Sequence, residues 1–230
     1  MDLIHQNHHF HFFSNNSDVE PSPTVIGDLL EAFSEYQLVP VPSNEYNTLT
    51  GQNRDYVTLI TPDHRLRLEF PSNEIIIYSF GDESQDEFRS TTIKIISILS
   101  TLFPLKMANR LSVLNSIYFK GEVQQYDSLY KKLFTFKKVS PFEWDNRIVE
   151  KIALDDIGEE INSISSIRRS VVSSQFFKSQ SPMDLINFNI DSNTVYQNQQ
   201  QRFRLKDCQL VVDRLFENNS KIITELQRYF

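Results

Sequence analysis

The sequence contains only five glycines, and none of them lies near another. Loops that cradle phosphate groups need closely spaced glycines, because a residue without a Cβ lets the backbone approach the phosphate. Each of the five is isolated: Gly27, Gly51, Gly81, Gly121 and Gly158. The sequence therefore lacks the glycine-rich motifs that bind nucleotides.

Cysteine and long apolar runs are also scarce. The single cysteine, Cys208, excludes a disulfide within the chain and is typical of a reducing compartment. No window approaches the roughly 18 to 20 apolar residues that a membrane-spanning helix needs, and the N-terminal residues do not resemble a signal peptide. We therefore expect a cytoplasmic protein with no membrane contact.

Basic residues are missing from the first quarter of the chain. Residues 1–53 contain no lysine or arginine and seven acidic residues, and the remainder holds 23 basic and 23 acidic residues. The net charge of −7 is thus confined to the first quarter. Such a region is typical of a solvated acidic surface, or of an acidic face that docks on a basic partner, and it would repel nucleic acid.

What the sequence does contain is one unbroken succession of strand and helix patterns. Strict alternation in Arg65–Phe70 predicts a half-buried strand, and Tyr56–Ile60 and Glu74–Tyr78 are predicted as its neighbours. Apolar residues at helical spacing predict a helix over Ser84–Phe103, with Asp82 or Ser84 as the N-cap. A strand meander covered by a helix is the expected nucleus.

Similar patterns extend over most of the chain. Phe10 and Phe12 alternate with His9 and His11 in a predicted first strand, and Ile161–Val172 fits a strand or a helix. The other segments are predicted as helices at 24–36, 126–136 and 210–230, strands at 110–119, 147–154 and 184–193, and a polar loop at 44–54. This order predicts an α+β fold of antiparallel sheets with covering helices, in two pseudo-equivalent halves, 1–122 and 123–230, or in one single domain.

The order of elements resembles a sporadically distributed bacterial family of uncharacterised proteins. The resemblance covers most of the chain and rests on the Phe-rich first strand, the hairpin Tyr56–Phe70, the segment Asn109–Tyr118 and the late strand Ile186–Thr194 before a C-terminal helix. It implies no activity and no catalytic residues. The patchy occurrence of that family implies a bacterial or phage protein of mobile or defence-related gene clusters.

Three small groups of residues are candidates for chemistry. His9 and His11 are candidate metal ligands, because alternation puts both imidazoles on one side of a strand, although solvent-facing histidines are the simpler interpretation. Arg110 and Asp191 would form a buried ion pair if their strands are adjacent, with a strand-end pair or turn cap as the alternative. Cys208 precedes a predicted helix whose dipole could lower its pKa, although a structural thiol is the simpler interpretation. We expect no cofactor.

Three basic segments, at 131–138, 168–169 and 202–206, are interspersed with phenylalanines, a combination that suits single-stranded nucleic acid. The candidate nucleic-acid contacts are Lys131, Lys132, Lys137, Lys138, Arg168, Arg169, Arg202 and Arg204. We expect the acidic neighbours Glu143, Asp145, Asp207 and Asp213 to neutralise them locally, so that no continuous groove forms.

The leading functional hypothesis is a non-catalytic interaction or regulatory protein that acts through protein–protein contacts. The 18 phenylalanines exceed what one small core needs, which predicts a homo-oligomer, most simply a two-fold dimer. The alternatives are a nucleic-acid-associated protein that uses the basic segments, and a hydrolase whose acidic residues converge only in space.

Overall fold

The computed structural model describes residues 1–81, 83–174, 177 and 181–229, and these form eleven strands and four α-helices. The fold is α+β, with 28% helix and 42% strand, as the sequence predicts. In chain order the elements are β1 (Asp2–Phe13), α1 (Pro23–Ala32), β2 (Val39–Asn47), β3 (Gln52–Ile60), β4 (Leu66–Glu69), β5 (Ile75–Gly81), α2 (Gln85–Leu102), β6 (Met107–Ala108), β7 (Arg110–Lys120), α3 (Val123–Leu133), β8 (Trp144–Leu154), β9 (Glu159–Val172), β10 (Met183–Thr194), β11 (Phe203–Arg204) and α4 (Gln209–Leu226).

β1 lies at the centre of a nine-stranded antiparallel sheet with the strand order β2-β3-β4-β5-β1-β7-β10-β9-β8. It pairs with β5 along one side and with β7 along the other. β6 and β11 form a separate two-stranded ribbon. The acidic first quarter of the chain therefore supplies the central strand of the sheet and, through β2, one of its edges.

The two halves of the sheet repeat one arrangement. β1 is followed by a helix, further strands and α2, and β7 is followed by a helix, further strands and α4. In each half the last strand, β5 or β10, returns to lie beside the first strand, and the earlier strands lie further out. The two halves thus share one order of connections, with five strands in the first and four in the second. The strands before and after the expected boundary at residue 122 belong to one continuous sheet. The second half begins with β7, which precedes that boundary.

All four helices pack on one face of this sheet, in two hydrophobic clusters. The larger cluster joins Phe10 of β1 and Leu68 of β4 to Leu29 of α1 and Phe88 of α2. The smaller cluster, under α3 and the end of α4, is formed by Ile117, Tyr126, Leu129, Tyr130, Trp144, Ile167, Ile186, Phe188, Ile190 and Leu226. Burial of these side chains provides the main driving force for the fold, since each contributes roughly 1.5 to 3 kcal/mol before conformational entropy is counted.

The predicted nucleus is present. β3, β4 and β5 form an antiparallel meander, and α2 follows it directly. Ser84 is the N-cap of α2 and forms a capping box with Glu87; the alternative cap, Asp82, lies outside the described residues. The stripe on α2 from Phe88 to Leu99 is buried as its spacing predicts.

Two local expectations were wrong, and one alternative that the sequence left open is resolved. Most of segment 44–54 is strand rather than loop, because β2 and β3 pair as a hairpin over Val39–Asn47 and Gln52–Ile60. The prolines Pro40 and Pro42 are accommodated because β2 is an edge strand, where lost hydrogen-bond donors cost least.

The helical alternative for 161–172 is excluded, since β9 pairs with β8 and β10 along both of its sides. The helix predicted over 24–36 is capped by Ser22, one residue before its observed start at Pro23, and ends earlier than expected, at Ala32.

Candidate binding face

The face of the sheet opposite the helices is the main candidate site, and we call its central part the open face. Directly paired residues of antiparallel strands project to the same side, so the strand register defines this surface. It consists of His5, Asn7, His9, His11 and Phe13 of β1, Ile76, Tyr78 and Phe80 of β5, Arg110, Ser112, Leu114, Ser116 and Tyr118 of β7, and Asn187, Asn189, Asp191 and Asn193 of β10. None of the described helices packs on it.

The side chains of the open face are sheltered although no described helix covers them. Every one of them is buried or half-buried, and Ser112 and Asn193 are each only 2% exposed. None belongs to either hydrophobic cluster. The shelter comes from neighbouring side chains on the same face and from segments outside the sheet, such as the one that carries Phe177. The result is a crowded mixed surface rather than a solvated one.

Aromatic rings line one side of the open face. The ring of His9 lies edge-on to Tyr78 with centroids 4.4 Å apart, and Tyr78 stacks on Phe80 at 5.7 Å. At the β7 end, Phe177 from the segment between β9 and β10 packs against Tyr118 at 5.4 Å and against His5 at 5.9 Å. Phe177 is buried there. The open face thus accepts an aromatic side chain from a segment that is not part of the sheet.

Two ionisable groups of the open face, His9 and Tyr78, are held in neutral forms. Burial, with a smaller contribution from His11 and His8, lowers the pKa of His9 to about 3. Burial together with the carboxylates of Glu69 and Glu74 raises the pKa of Tyr78 to about 12. Both groups therefore carry no charge near neutral pH and can act as hydrogen-bonding groups.

Several buried polar atoms of this face have no hydrogen-bond partner among the described residues. They are Nε2 of His9, Nε2 of His11, Nε of Arg110, Oδ1 of Asn187 and Nδ2 of Asn193. Their neighbours are paired: Ser116 donates to Asn189 Oδ1 at 2.8 Å, and Asn162 donates to Asn193 Oδ1 at 3.1 Å. Buried polar groups in native proteins are normally hydrogen-bonded to protein or to ordered water. This set on one surface makes the open face a candidate site.

The metal site expected at His9 and His11 is incomplete. The two rings do lie on one side of β1, 6.0 Å apart, and Glu74 contacts Nδ1 of His11 at 2.7 Å. In the part of the chain that the structure describes, no group of three or more His, Cys, Asp or Glu side chains is placed to hold a metal ion. The alternative of solvent-facing histidines is wrong as well, because both rings are half-buried.

The expected ion pair between Arg110 and Asp191 does not form. The strands β7 and β10 are adjacent, as the hypothesis required, but Asp191 lies opposite Leu114. Arg110 is four residues away from that position, or about 13 Å along the strand. Asp191 instead accepts a hydrogen bond from Ser112 at 2.8 Å. The guanidinium of Arg110 lies over the rings of Phe13 and Tyr196.

The candidate nucleic-acid contacts are dispersed. Arg168 and Arg169 project to opposite faces of β9, and Arg169 is buried in an ion pair with Asp184 at 2.9 Å. Arg202 pairs with Glu159 at 2.9 Å. The exposed members are Lys131, Lys132, Lys137, Lys138, Arg168 and Arg204. Two of the eight residues, Arg169 and Arg202, are therefore neutralised locally, through carboxylates other than Glu143, Asp145, Asp207 and Asp213.

The thiol of Cys208 is not activated. Cys208 is buried just before α4, and burial raises its pKa to about 12. This outweighs any effect of the helix dipole and favours the interpretation as a structural thiol. A thiol that stays protonated is a poor nucleophile.

A buried polar network on the helix side of the sheet was missed by the sequence analysis. We call it the polar seam, and it comprises His8, Glu83, Asn115, Ser163, Ser192, Asn218 and Asn219. His8 Nε2 donates to the main-chain oxygen of Glu83 at 2.9 Å, and His8 Nδ1 accepts from the amide of Asn115 at 2.5 Å. The one sequence signal was Asn115, a polar residue within the apolar alternation of β7.

No helix among the described residues is long and apolar enough to cross a membrane. A comparison with protein-family models found no matching family, and a comparison with curated proteins found no significant match. The resemblance to the bacterial family, with its defence-related setting, stays a prediction.

Proposed function

We propose that the protein is a non-catalytic interaction protein that binds a segment of another protein on the open face. The observation that carries the proposal is the set of buried polar atoms on that face that lack partners, of which His9 Nε2, Asn187 Oδ1 and Asn193 Nδ2 are members. A peptide offers amide N–H and C=O groups at regular spacing, and these would satisfy such atoms. The neutral state of His9 supports a neutral ligand.

The aromatic rings support the same class of ligand. Phe177 already packs on Tyr118 and His5, and the rings of Tyr78 and Phe80 lie across the face from them. A segment with one or two aromatic or aliphatic side chains between polar residues would match this distribution. A pKa of about 3 also makes His9 a poor general base near neutral pH, which favours binding over catalysis.

The proposal is tested by selecting, from a displayed library of random peptides, those that bind the intact protein. Peptides enriched in aromatic residues should be recovered, and their binding should weaken about tenfold or more in Asn187→Asp, because a buried unpaired charge is costly. Asn53→Asp makes the same change at an exposed position of β3 and should leave binding unchanged.

Two outcomes would overturn the proposal. One is a selection that enriches no peptide, and the other is a set of peptides that bind Asn187→Asp and the wild type equally well. A labelled oligonucleotide measured in parallel separates the nucleic-acid alternative, since only that ligand should bind with an affinity that falls steeply with salt.

A further inference from the structure

The two edges of the nine-stranded sheet differ in a way that points to an interface. The edge strand β2 contains Pro40 and Pro42, which lack N–H groups and hinder the addition of another strand. The opposite edge strand, β8, has no proline. An edge strand with free backbone groups is a template for pairing with another strand.

The side chains of β8 are unusually exposed and partly apolar. All residues from Arg147 to Lys151 are exposed, on both faces of the strand. Ile148 is 59% exposed on the helix side, and Val149 is 48% exposed on the other. Proteins usually protect such an edge with charged side chains, prolines, bulges or covering elements. Of these, the described part of β8 has the charged residues Arg147, Glu150 and Lys151 beside its two exposed apolar residues.

We infer that β8 pairs with β8 of a second copy of this chain, antiparallel about a two-fold axis centred on Ile148. A two-fold pairing in one sheet places each residue opposite a residue on the same face. Centred on Ile148, it brings Ile148 against Ile148 and Trp144 against Ile152. It also brings Asp145 against Lys151 twice, once on each side of the axis. These opposed pairs attract one another.

The other registers centred on Arg147, Val149, Glu150 or Lys151 all oppose like charges. A pairing centred on Arg147, Glu150 or Lys151 would place that residue against its own copy. A pairing centred on Val149 would place Arg147 against Lys151. Like charges directly opposite one another destabilise a sheet, so of the five registers centred on Arg147 to Lys151 only the one at Ile148 opposes no like charges. This self-complementarity supports a second copy as the partner.

The proposed dimer does not depend on the proposed peptide site. β8 is the outermost strand, whereas the open face lies on β5, β1, β7 and β10, so the two surfaces can be occupied at once. A contact through one strand edge buries less than the roughly 1,200 Å² of a standard stable interface. We therefore expect a dimer that dissociates on dilution.

The register is tested by reversing the charges of Asp145 and Lys151. The association of the full chain is measured by sedimentation velocity from low to high micromolar concentration. The wild type should approach twice the 27.0 kDa chain mass as concentration rises. Lys151→Asp and Asp145→Lys should each weaken association about tenfold or more, since each creates like-charge pairs. The double exchange should restore association. Lys94→Asp, on the exposed side of α2, is the matched control.

Disulfide cross-linking gives a second readout of the register. In a Cys208→Ser background, Ile148→Cys should cross-link under mild oxidation, because directly opposed Cβ atoms lie about 5 Å apart. Val149→Cys should cross-link far less. A wild type that stays monomeric at all concentrations would overturn the inference, as would a folded double exchange that fails to dimerise or a Val149→Cys variant that cross-links faster.

Discussion

At the scale of single residues, β1 shows how position on a strand decides what a histidine does. His8 projects to the helix side, where both ring nitrogens are hydrogen-bonded in the polar seam. His9 projects to the open face, where Nε2 has no partner among the described residues. Burial lowers the pKa of both rings. The neutral ring of His8 is thus part of the core, whereas the neutral ring of His9 faces the candidate binding surface.

These two pKa values make stability depend on pH. A histidine in the unfolded chain has a pKa of about 6.5, and in the folded protein both values lie lower. Below that pH the unfolded chain binds protons that the folded protein does not, so stability is present above about 6.5 and is lost as pH falls towards the folded values. For His9 this loss continues to about pH 3. Each histidine adds a slope of up to about 1.4 kcal/mol per pH unit.

The measurement is urea denaturation between pH 7 and pH 5. His9→Gln should reduce the dependence of the unfolding free energy on pH, because one of the two groups is removed. Asn7→Gln introduces the same side chain on the same face of β1 and should retain the wild-type slope. Equal slopes in His9→Gln and the wild type would show that His9 is not protected from protonation in the folded protein.

At the scale of elements, the packing of α2 against β1 depends on where the helix starts. Gln85–Leu102 begins directly after the meander, and Ser84 and Glu87 satisfy the free N–H groups of its first turn. With the start set in this way, Phe88, Ile95 and Leu99 face the sheet. A cap at a neighbouring residue would rotate this stripe by about 100° away from the core.

Ser84→Ala should lower the free energy of unfolding by about 1 kcal/mol, because the capping bonds to Glu87 are lost. Ser97→Ala, on the exposed side of the same helix, should be neutral or slightly stabilising, since alanine is the better helix former. Urea denaturation of both variants checks the difference. If they are equally stable, the capping box does not contribute to stability.

At the scale of the whole molecule, the sheet is held together by its first strand. β1 joins β5 to β7, and through them the two pseudo-equivalent halves. Phe10 and Phe12 also lie in the larger hydrophobic cluster. The acidic first quarter is therefore structural, and its charge lies on a segment that the core needs.

Deletion of residues 1–40 should abolish folding or cause aggregation, because it removes the strand between the halves and exposes the cluster around Phe88. Solubility, circular dichroism and thermal denaturation of the truncated chain check this result. A soluble truncated protein with an unchanged melting temperature would mean that the halves do not require β1.

The sequence by itself determined the elements whose periodicity has one interpretation. Alternation defined β4 and the two sides of β1, and the helical stripe defined α2, because both patterns reflect burial of one side of a local element. It failed for β2, where an edge strand with little burial resembles a polar loop. It left β9 open, because isoleucine spacing there fits both periods.

Only the tertiary structure decided which surfaces remain available. Alternation showed that His9 and Phe10 project to opposite sides, but not which side the helices cover. The pairing of β1 with β7 and the polar seam from His8 to Asn219 join residues about a hundred or more positions apart. Such contacts depend on packing among distant elements, which local periodicity does not record. The open face and the free edge at β8 therefore emerge only when the whole sheet is assembled.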